Sequence, residues 1–513
     1  MSRRKNLTRA LGSGYAALAV NIIYTLGSVP LALSYLSREE FGLWALVTQI
    51  SGYIALIDFG MAASISRILI DHKDDKHSGT YGAVIKTGWL VLLVQGAIAA
   101  VGGGALAPLL SKILQIPTHM TSTFTILIAF QSLILGVSIA TKMFVHLLTA
   151  HQRYDISNYS QVAGFAMSFI VLWLGFRLGF GIYSLLLTAA AGFLISTAIS
   201  IAGCSVLRLY PEGTQWGKVE LRLFKSLFKF GSECFLQNLG WQLIAASQVI
   251  LITRRLGLES AAVWSICTKV FTLAQQFVGK IFDFSVAAFS EMVVRHETEK
   301  LRRRFRDVLM LTGSISVLLG VILATCNASF VHIWTHGRIS WPPINDALMA
   351  GVLIVSSLSR CYGGLAWITK EVRFMRYIYF IEGLAFVSIA FFIAPSTGFA
   401  GILGTAIVCN ILFSGSYGLA RAGRFLHVSL AEVAVAWLLP ILRFLAVSAP
   451  LAAIVWLMTK HLPTRMELTV NAVVVGAISA SLFWMIGLQP GTRKELLEML
   501  EPVMKRFCSK RTA

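Results

Sequence analysis

The 513-residue chain is poor in charge and poorest in acid: 13% of its residues are charged, and 24 Asp and Glu face 44 Lys and Arg, for a formal net charge of +20. With 56% hydrophobic residues and a mean hydropathy of +0.73, so little charge excludes a water-soluble globular protein. The seven cysteines, Cys204, Cys234, Cys267, Cys326, Cys361, Cys409 and Cys508, are odd in number, scattered and without a CxxC pair. Neither a disulfide framework nor a metal site is implied. No His-Glu-x-x-His, Walker loop, Gly-x-Ser-x-Gly or clustered carboxylate pair occurs, so hydrolysis and ATP use have no support, and neither a cofactor nor an enzyme activity is expected.

What the chain has instead is apolar runs near 20 residues from end to end, the length that crosses a hydrocarbon core of about 30 Å. They fall at 11–33, 41–63, 88–110, 121–141, 158–176, 182–202, 231–253, 260–282, 308–330, 347–369, 377–394, 398–420, 433–458 and 468–488. The expected fold class is therefore all-α, a polytopic transmembrane helical protein of 14 spans. The opening MSRRKNLTRA has the outline of a signal peptide, but 11–33 is too long for an ordinary signal core and reads as an uncleaved first span. An even number of spans puts both termini on one side. Loops on that side hold 32 Lys and Arg against 8 on the other, and four lie inside spans, completing the 44. This bias predicts cytoplasmic termini and explains the net charge without nucleic acid. The longest outer loop, 331–346, carries His332, His336, Trp341, Pro342 and Pro343 and has no room for a catalytic domain. His146, His151 and Arg153 read as surface residues of the third inner loop.

The chain also repeats itself at an offset near 220. YLSREEFGLW carries Leu36, Glu39 and Trp44, and RLGLESAAVW carries Leu256, Glu259 and Trp264 at the same spacing; Gly12-Ser13 echoes Gly231-Ser232. An offset of six spans keeps the orientation, which predicts a parallel repeat about an axis along the membrane normal. The implied domains are an N-terminal six-helix bundle at 1–206, a cytoplasmic linker at 207–230, a second six-helix bundle at 231–430, and two further spans with a cytoplasmic tail at 431–513. The linker's LRLFKSLFKF could lie amphipathically on the inner leaflet.

Charge inside spans is the functional signal. Lys269, Gln276, Lys280 and Asp283 fall within a narrow arc at 100° per residue, so the helix over 260–282 has one polar face. Lys269, Arg360 and Arg443 fall near the middle of their spans, where a lysine costs about 2.5 to 3.5 kcal/mol. The acids Asp58, Glu233, Asp283 and Glu382 fall toward the cytoplasmic ends. A centre with unbalanced positive charge suits an anionic substrate. The competing reading is pairing within the bundle, Arg360 with Glu382 or Lys280 with Asp283. Asp58 is placed to pair with Arg67 as a gate. Asn21, Tyr24, Gln242 and Gln276 suit sugar hydroxyls and faces, and equally suit helix packing.

YLSREEFGLWAL, then LIDFG, then Ser66-Arg67, with LTAHQRYDISN at 148–158, resembles the polysaccharide transporters, the O-antigen flippase type within the multidrug/oligosaccharidyl-lipid/polysaccharide exporter superfamily. The resemblance spans roughly 4–420 in span count and repeat, and the two spans beyond twelve are a departure from its usual pattern. It implies two six-helix bundles around a central cavity and transport of an undecaprenyl-diphosphate-linked oligosaccharide, as in O-antigen or lipopolysaccharide synthesis, from the inner to the outer leaflet of a bacterial inner membrane by alternating access. It implies as partners membrane lipid, a polysaccharide polymerase and a chain-length regulator. Carried over by residue, it covers Asp58 and Arg67; the diphosphate contacts Lys269, Arg360 and Arg443 rest on the depth argument, and Asp283 and Glu382 join Asp58 and Arg67 as gating or coupling groups. A coupling ion, H⁺ or Na⁺, stays open. So do two alternatives: a cation-coupled multidrug exporter of the same superfamily, and a membrane-embedded polymerase or glycosyltransferase.

Overall fold

A computed structural model describes residues 3–72, 79–211, 213, 215–369, 374–488, 491 and 493. The tail beyond residue 493 and the side chain of Glu233 lie outside the described residues. The chain is helical throughout: α1 (Arg3–Tyr35), α2 (Arg38–Ile54), a 3-10 turn (Ala55–Asp58), α3 (Met61–His72), α4 (Thr80–Ile113), α5 (Thr118–Ala150), α6 (Tyr154–Arg177), α7 (Tyr183–Val206), α8 (Leu221–Ala245), α9 (Ser247–Leu256), α10 (Leu258–Cys267), α11 (Lys269–Val294), α12 (Thr298–Trp334), α13 (Pro343–Ile368), α14 (Met375–Asn410), a π-helical stretch (Ile411–Gly415), α15 (Ser416–Phe425), α16 (Leu430–Glu432), a second π-helical stretch (Val433–Leu438), α17 (Leu439–Thr459) and α18 (Thr464–Leu482), closed by a third π-helical stretch (Phe483–Gly487).

Among the described residues, twelve helical lengths are long and apolar enough to cross a membrane. The difference from fourteen lies in two places. Met375–Phe425 counts once at 51 residues, yet as one helix it would run about 77 Å, more than twice the hydrocarbon core. The backbone leaves helical geometry at Gly398 (φ 60°, ψ −142°), so this length divides into two crossings. The other place is 260–282, which breaks at Thr268 between α10 and α11, with α11 made polar by Lys269, Lys280, Asp283 and Glu291.

The chain divides into two compact units, Met1–Ile266 with Val387–Pro395, and Cys267–Phe386 with Ser396–Ala513. In the first unit, α2 starts on a capping box: Ser37 Oγ accepts from Glu40 N at 3.1 Å, and Glu40 Oε2 accepts from Ser37 N at 2.8 Å. The predicted second span does not run unbroken from 41 to 63. Phe59 (φ 44°) and Gly60 (φ 72°) are left-handed, which stops the helix and lets α3 begin afresh. The segment 207–230 packs within this unit rather than standing apart: Tyr81 donates to Leu209 O at 2.9 Å, Lys86 to Gly217 O at 3.1 Å, and Glu220 N to Thr87 Oγ1 at 3.2 Å. LRLFKSLFKF forms the first turns of α8, with Leu227 buried. His146 is not a loop residue, because α5 continues to Ala150 and places its Nδ1 2.7 Å from Ser66 Oγ.

The repeat is visible in the helices themselves. α2 begins at Arg38 and α10 at Leu258, 220 positions apart. The two touch at Gly42, where a Cβ would strike the Leu258 carbonyl and stand 3.3 Å from Ala262 N. Gly42 and Ala262 are themselves repeat equivalents by the 220-residue offset.

The second unit is organised on α12, whose 37 residues make a rod of about 55 Å. Leu301, Phe305 and Leu309 on α12 bury with Phe282 and Phe289 of α11, Tyr362 of α13 and Trp437. Farther along, Val317 and Val321 bury with Ile441 and Phe444 of α17 and Val475 of α18.

Candidate functional site

The site is built on α11. Lys269 is its first residue, just past the break at Thr268, and Asn327 Nδ2 of α12 donates to the Cys267 carbonyl at 3.2 Å. Lys269 is half-buried and forms no hydrogen bond or ion pair with any described residue. Gln276 and Lys280, on the same helix face, are exposed.

At the far end of that face, Arg360 Nη2 of α13 donates to Asp283 Oδ1 at 2.8 Å. The guanidinium lies over Gly279, where a Cβ would stand 3.3 Å from Arg360 Nε, so a side chain there would crowd it. Neither partner anticipated for the two groups is used: Glu382 does not bond Arg360, and Asp283 takes Arg360 rather than Lys280. With side-chain exposures of 51% for Arg360 and 37% for Asp283, the pair belongs to the solvated kind, worth about 0 to 1 kcal/mol. An incoming anion can therefore take the guanidinium from Asp283 at little cost.

The cations do not share one depth. Asn327, which holds the backbone beside Lys269, is 21 positions past Arg306 on α12, a rise of about 31 Å, the full thickness of a hydrocarbon core. Lys269 thus sits near the 331–346 end of the bundle, not at its middle, because the break at Thr268 shortens the span around it. Asp283, and Arg360 with it, lies 14 positions along α11, about 21 Å toward the Arg302–Arg306 end. Arg443 is exposed and without a partner among the described residues, and helical spacing turns it away from the Leu445–Ala452 side of α17. The three cations do not gather at one point.

Glu382 of α14 is 1% exposed. It accepts from Asn410 Nδ2 at 3.3 Å and from Ser414 N at 3.1 Å, while Asn410 Oδ1 accepts from Ser359 Oγ at 2.6 Å. The Ser414 N–H is available because Ile411–Gly415 is π-helical, a widening common at functional sites. Asp58 caps α3, accepting from Ala62 N at 3.1 Å, and its carbonyl accepts from Gln95 Nε2 at 3.0 Å. The ammonium of Lys142 is the charge acting on it. Arg67 is exposed on α3. Among the residues suited to a glycan, Asn21 accepts from Thr25 Oγ1 at 3.5 Å, the Tyr24 ring lies 5.5 Å from Phe165, and the Gln242 carbonyl accepts from Tyr53 at 3.3 Å. Those three are engaged in packing, which leaves Gln276 as the exposed amide.

Two features were not read from the sequence. One is a buried cluster of Asp346, Asn327 and Trp341; its signal was Pro342-Pro343 opening a helix with an acid in the first turn. The other is a nearly wholly apolar groove of about 600 Å³ between α12, α13 and α17, lined by Ala324, Ile344, Ala350, Ile354, Ala449 and Trp456 among others. No periodicity marks it, since small residues form its floor.

The all-α polytopic frame is the fold of solved structures from the MOP superfamily. A multidrug resistance MATE family transporter of the MOP superfamily, inward-facing, matches with a TM-score of 0.65 at 13% identity, over 79% of this chain and 95% of that one. The lipid II flippase MurJ, inward closed, matches with a TM-score of 0.59 at 13% identity, over 93% and 98%. The model of the polysaccharide biosynthesis protein family matches residues 35–336, more than half of the chain, and the chain belongs to that family. It is 24% identical over 358 residues to the succinoglycan biosynthesis transport protein ExoT of Rhizobium meliloti (strain 1021), covering 68% of this chain and 67% of that protein.

Proposed function

We propose that the chain is a flippase that carries an undecaprenyl-diphosphate-linked oligosaccharide, such as an O-antigen repeat unit, from the inner to the outer leaflet of a bacterial inner membrane. It works by alternating access, with both termini cytoplasmic and no chemical step. The observation that carries this reading is the spacing of cations along the polar face of α11: Arg360 of α13, loosely held there by Asp283, and Lys269, whose side chain bonds no described residue, are about 20 Å apart. A diphosphate entering near the Arg302–Arg306 end meets Arg360 first and leaves past Lys269. The Arg360–Asp283 pair is solvated and weak, so an anion can take that station and leave it again.

The exposed Gln276 between the stations can bond a passing glycan hydroxyl, and the apolar groove has the chemistry to hold part of a polyprenyl chain. Glu382, in its cage of neutral donors, and Asp58, at the break between α2 and α3, are the coupling or gating groups, taking H⁺ or Na⁺, with Arg67 beside Asp58's helix. A polysaccharide polymerase and a chain-length regulator would act on the product. A multidrug exporter for cationic compounds is favoured less, because the acids on this face, Asp283 and Glu291, each already hold an arginine.

The test is a transverse-movement assay in proteoliposomes with a fluorescent lipid-diphosphate oligosaccharide. Wild type should bring the label to the opposite leaflet, and Lys269→Ala and Arg360→Ala should each slow it while protein levels stay normal. A Lys269→Ala, Arg360→Ala double variant moving the label at the wild-type rate would sink the reading.

A further inference from the structure

Asp346 is wholly buried, at 0% exposure, in the first turn of α13. Its Oδ1 accepts two hydrogen bonds of 2.7 Å, from Asn327 Nδ2 and from Trp341 Nε1. The Asn327 amide cannot be turned over, because Nδ2 also donates to the Cys267 carbonyl, and the reversed amide would point its oxygen at two acceptors. Among the described residues that leaves Asn327 Oδ1 buried without a donor, and Asp346 Oδ2 buried without a well-formed hydrogen bond, the Ala328 N–H being the one further donor near the carboxylate. They are the remaining oxygens of two groups already joined by a 2.7 Å bond.

Among the described residues the surroundings offer no countercharge. α10 contributes the Cys267 thiol, α12 the Asn327 amide and the Ala328 N–H, and the 335–342 connection the Trp341 indole, whose ring stacks on Phe399 at 5.2 Å. His332, His336 and Arg338, on or beside the same connection, form no hydrogen bond or ion pair with Asp346. A hard cation takes six or more oxygens, and the cluster's side chains offer two. What the site lacks is one hydrogen.

We infer that Asp346 is a proton-binding site: a proton on Oδ2 turns the carboxylate into a donor to Asn327 Oδ1, and the acid–amide pair so closed fastens Trp341 and the 335–342 connection to the end of the bundle. Loss of that proton leaves a bare buried charge and two acceptors facing each other, which loosens the connection. Nothing in this depends on the transported substrate.

The experiment uses the purified full chain without substrate. Asparagine at 346 reproduces the protonated acid, with its amide N–H in place of the O–H. Asp346→Asn should therefore be at least as heat-stable as wild type near neutrality, and the wild-type midpoint should fall by a few degrees relative to the variant as the pH is raised and the buried acid loses its proton. Infrared spectra of wild type should contain a protonated-carboxyl C=O stretch that Asp346→Asn abolishes. If that variant is not produced, Asn327→Ala, which removes the acceptor, should shift the same band to higher frequency. A variant less stable than wild type at neutral pH, no such band, or a midpoint that rises on exchanging potassium for sodium would each overturn the proposal.

Discussion

Lys269→Met separates a lysine kept for transport from one kept for folding. A lysine at the centre of a membrane helix costs about 2.5 to 3.5 kcal/mol. Lys269 is half-buried as a residue but its ammonium is desolvated, so about 2 to 3 kcal/mol of that cost remains. No hydrogen bond or ion pair with a described residue offsets it, and methionine keeps the length and the apolar contacts of the stem. The variant should therefore gain about 2 to 3 kcal/mol, seen as a rise of roughly 2 to 3 °C in the thermal midpoint in detergent, while flipping in proteoliposomes falls at least about tenfold, the loss of about 1.4 kcal/mol of interaction with the anion. Two results refute the reasoning. A variant less stable than wild type means the lysine neutralises a carboxylate, whose exposure on removal is costly. A stabilised variant that flips at the wild-type rate means the charge has no use in transport.

The Arg360–Asp283 pair should show a coupling energy of about 1 kcal/mol or less in a double-mutant cycle, and Arg360→Lys should recover only part of the flipping, since lysine lacks the planar fork that matches phosphate oxygens; a coupling above about 3 kcal/mol would describe a locked buried pair instead. Gly42→Val places a side chain against the Leu258 carbonyl and the Ala262 amide and should cost about 1 to 3 kcal/mol by overpacking, so an unchanged thermal midpoint would mean that α2 and α10 part freely. Single cysteines at positions 79 and 213, introduced without the native ones, should resist an impermeant thiol reagent in intact cells while one at position 340 labels; the reverse pattern would invert the topology.

Much of the frame was legible because its causes are local. Runs such as 88–110 and 121–141 have to be helices in lipid, where every backbone polar group is bonded within its own segment, and the 220-residue offset reappears in the starts of α2 and α10. The breaks were not legible. Phe59, a bulky residue, takes a left-handed conformation only because Gly60, the Asp58 cap on α3 and the close approach of Gly231 fix the turn. Thr268 carries no helix-breaking residue type at all, and its neighbour's carbonyl is claimed by Asn327, 60 positions away. Because depth was counted along unbroken spans, Lys269 and Arg360 were set at one level. The polar face of α11 was legible from residue spacing, but the choice of Asp283 over Glu382 as the partner of Arg360 was not: Glu382 is occupied by a π-helical turn that no composition announces.

Gly398 decides a matter of parity. A Cβ there would meet nothing within 4 Å, so space imposes no restriction; the restriction is the backbone angle of φ 60° with ψ −142°, which only glycine adopts without strain. Two crossings fit into Met375–Phe425 because the chain departs from the helix at this one residue. A substitution that straightened it would fuse two crossings into one and change their number from even to odd. Every loop after it would then be offered to the opposite compartment, and the arginines at 421 and 424 would stand against the charge rule that orients the rest of the chain.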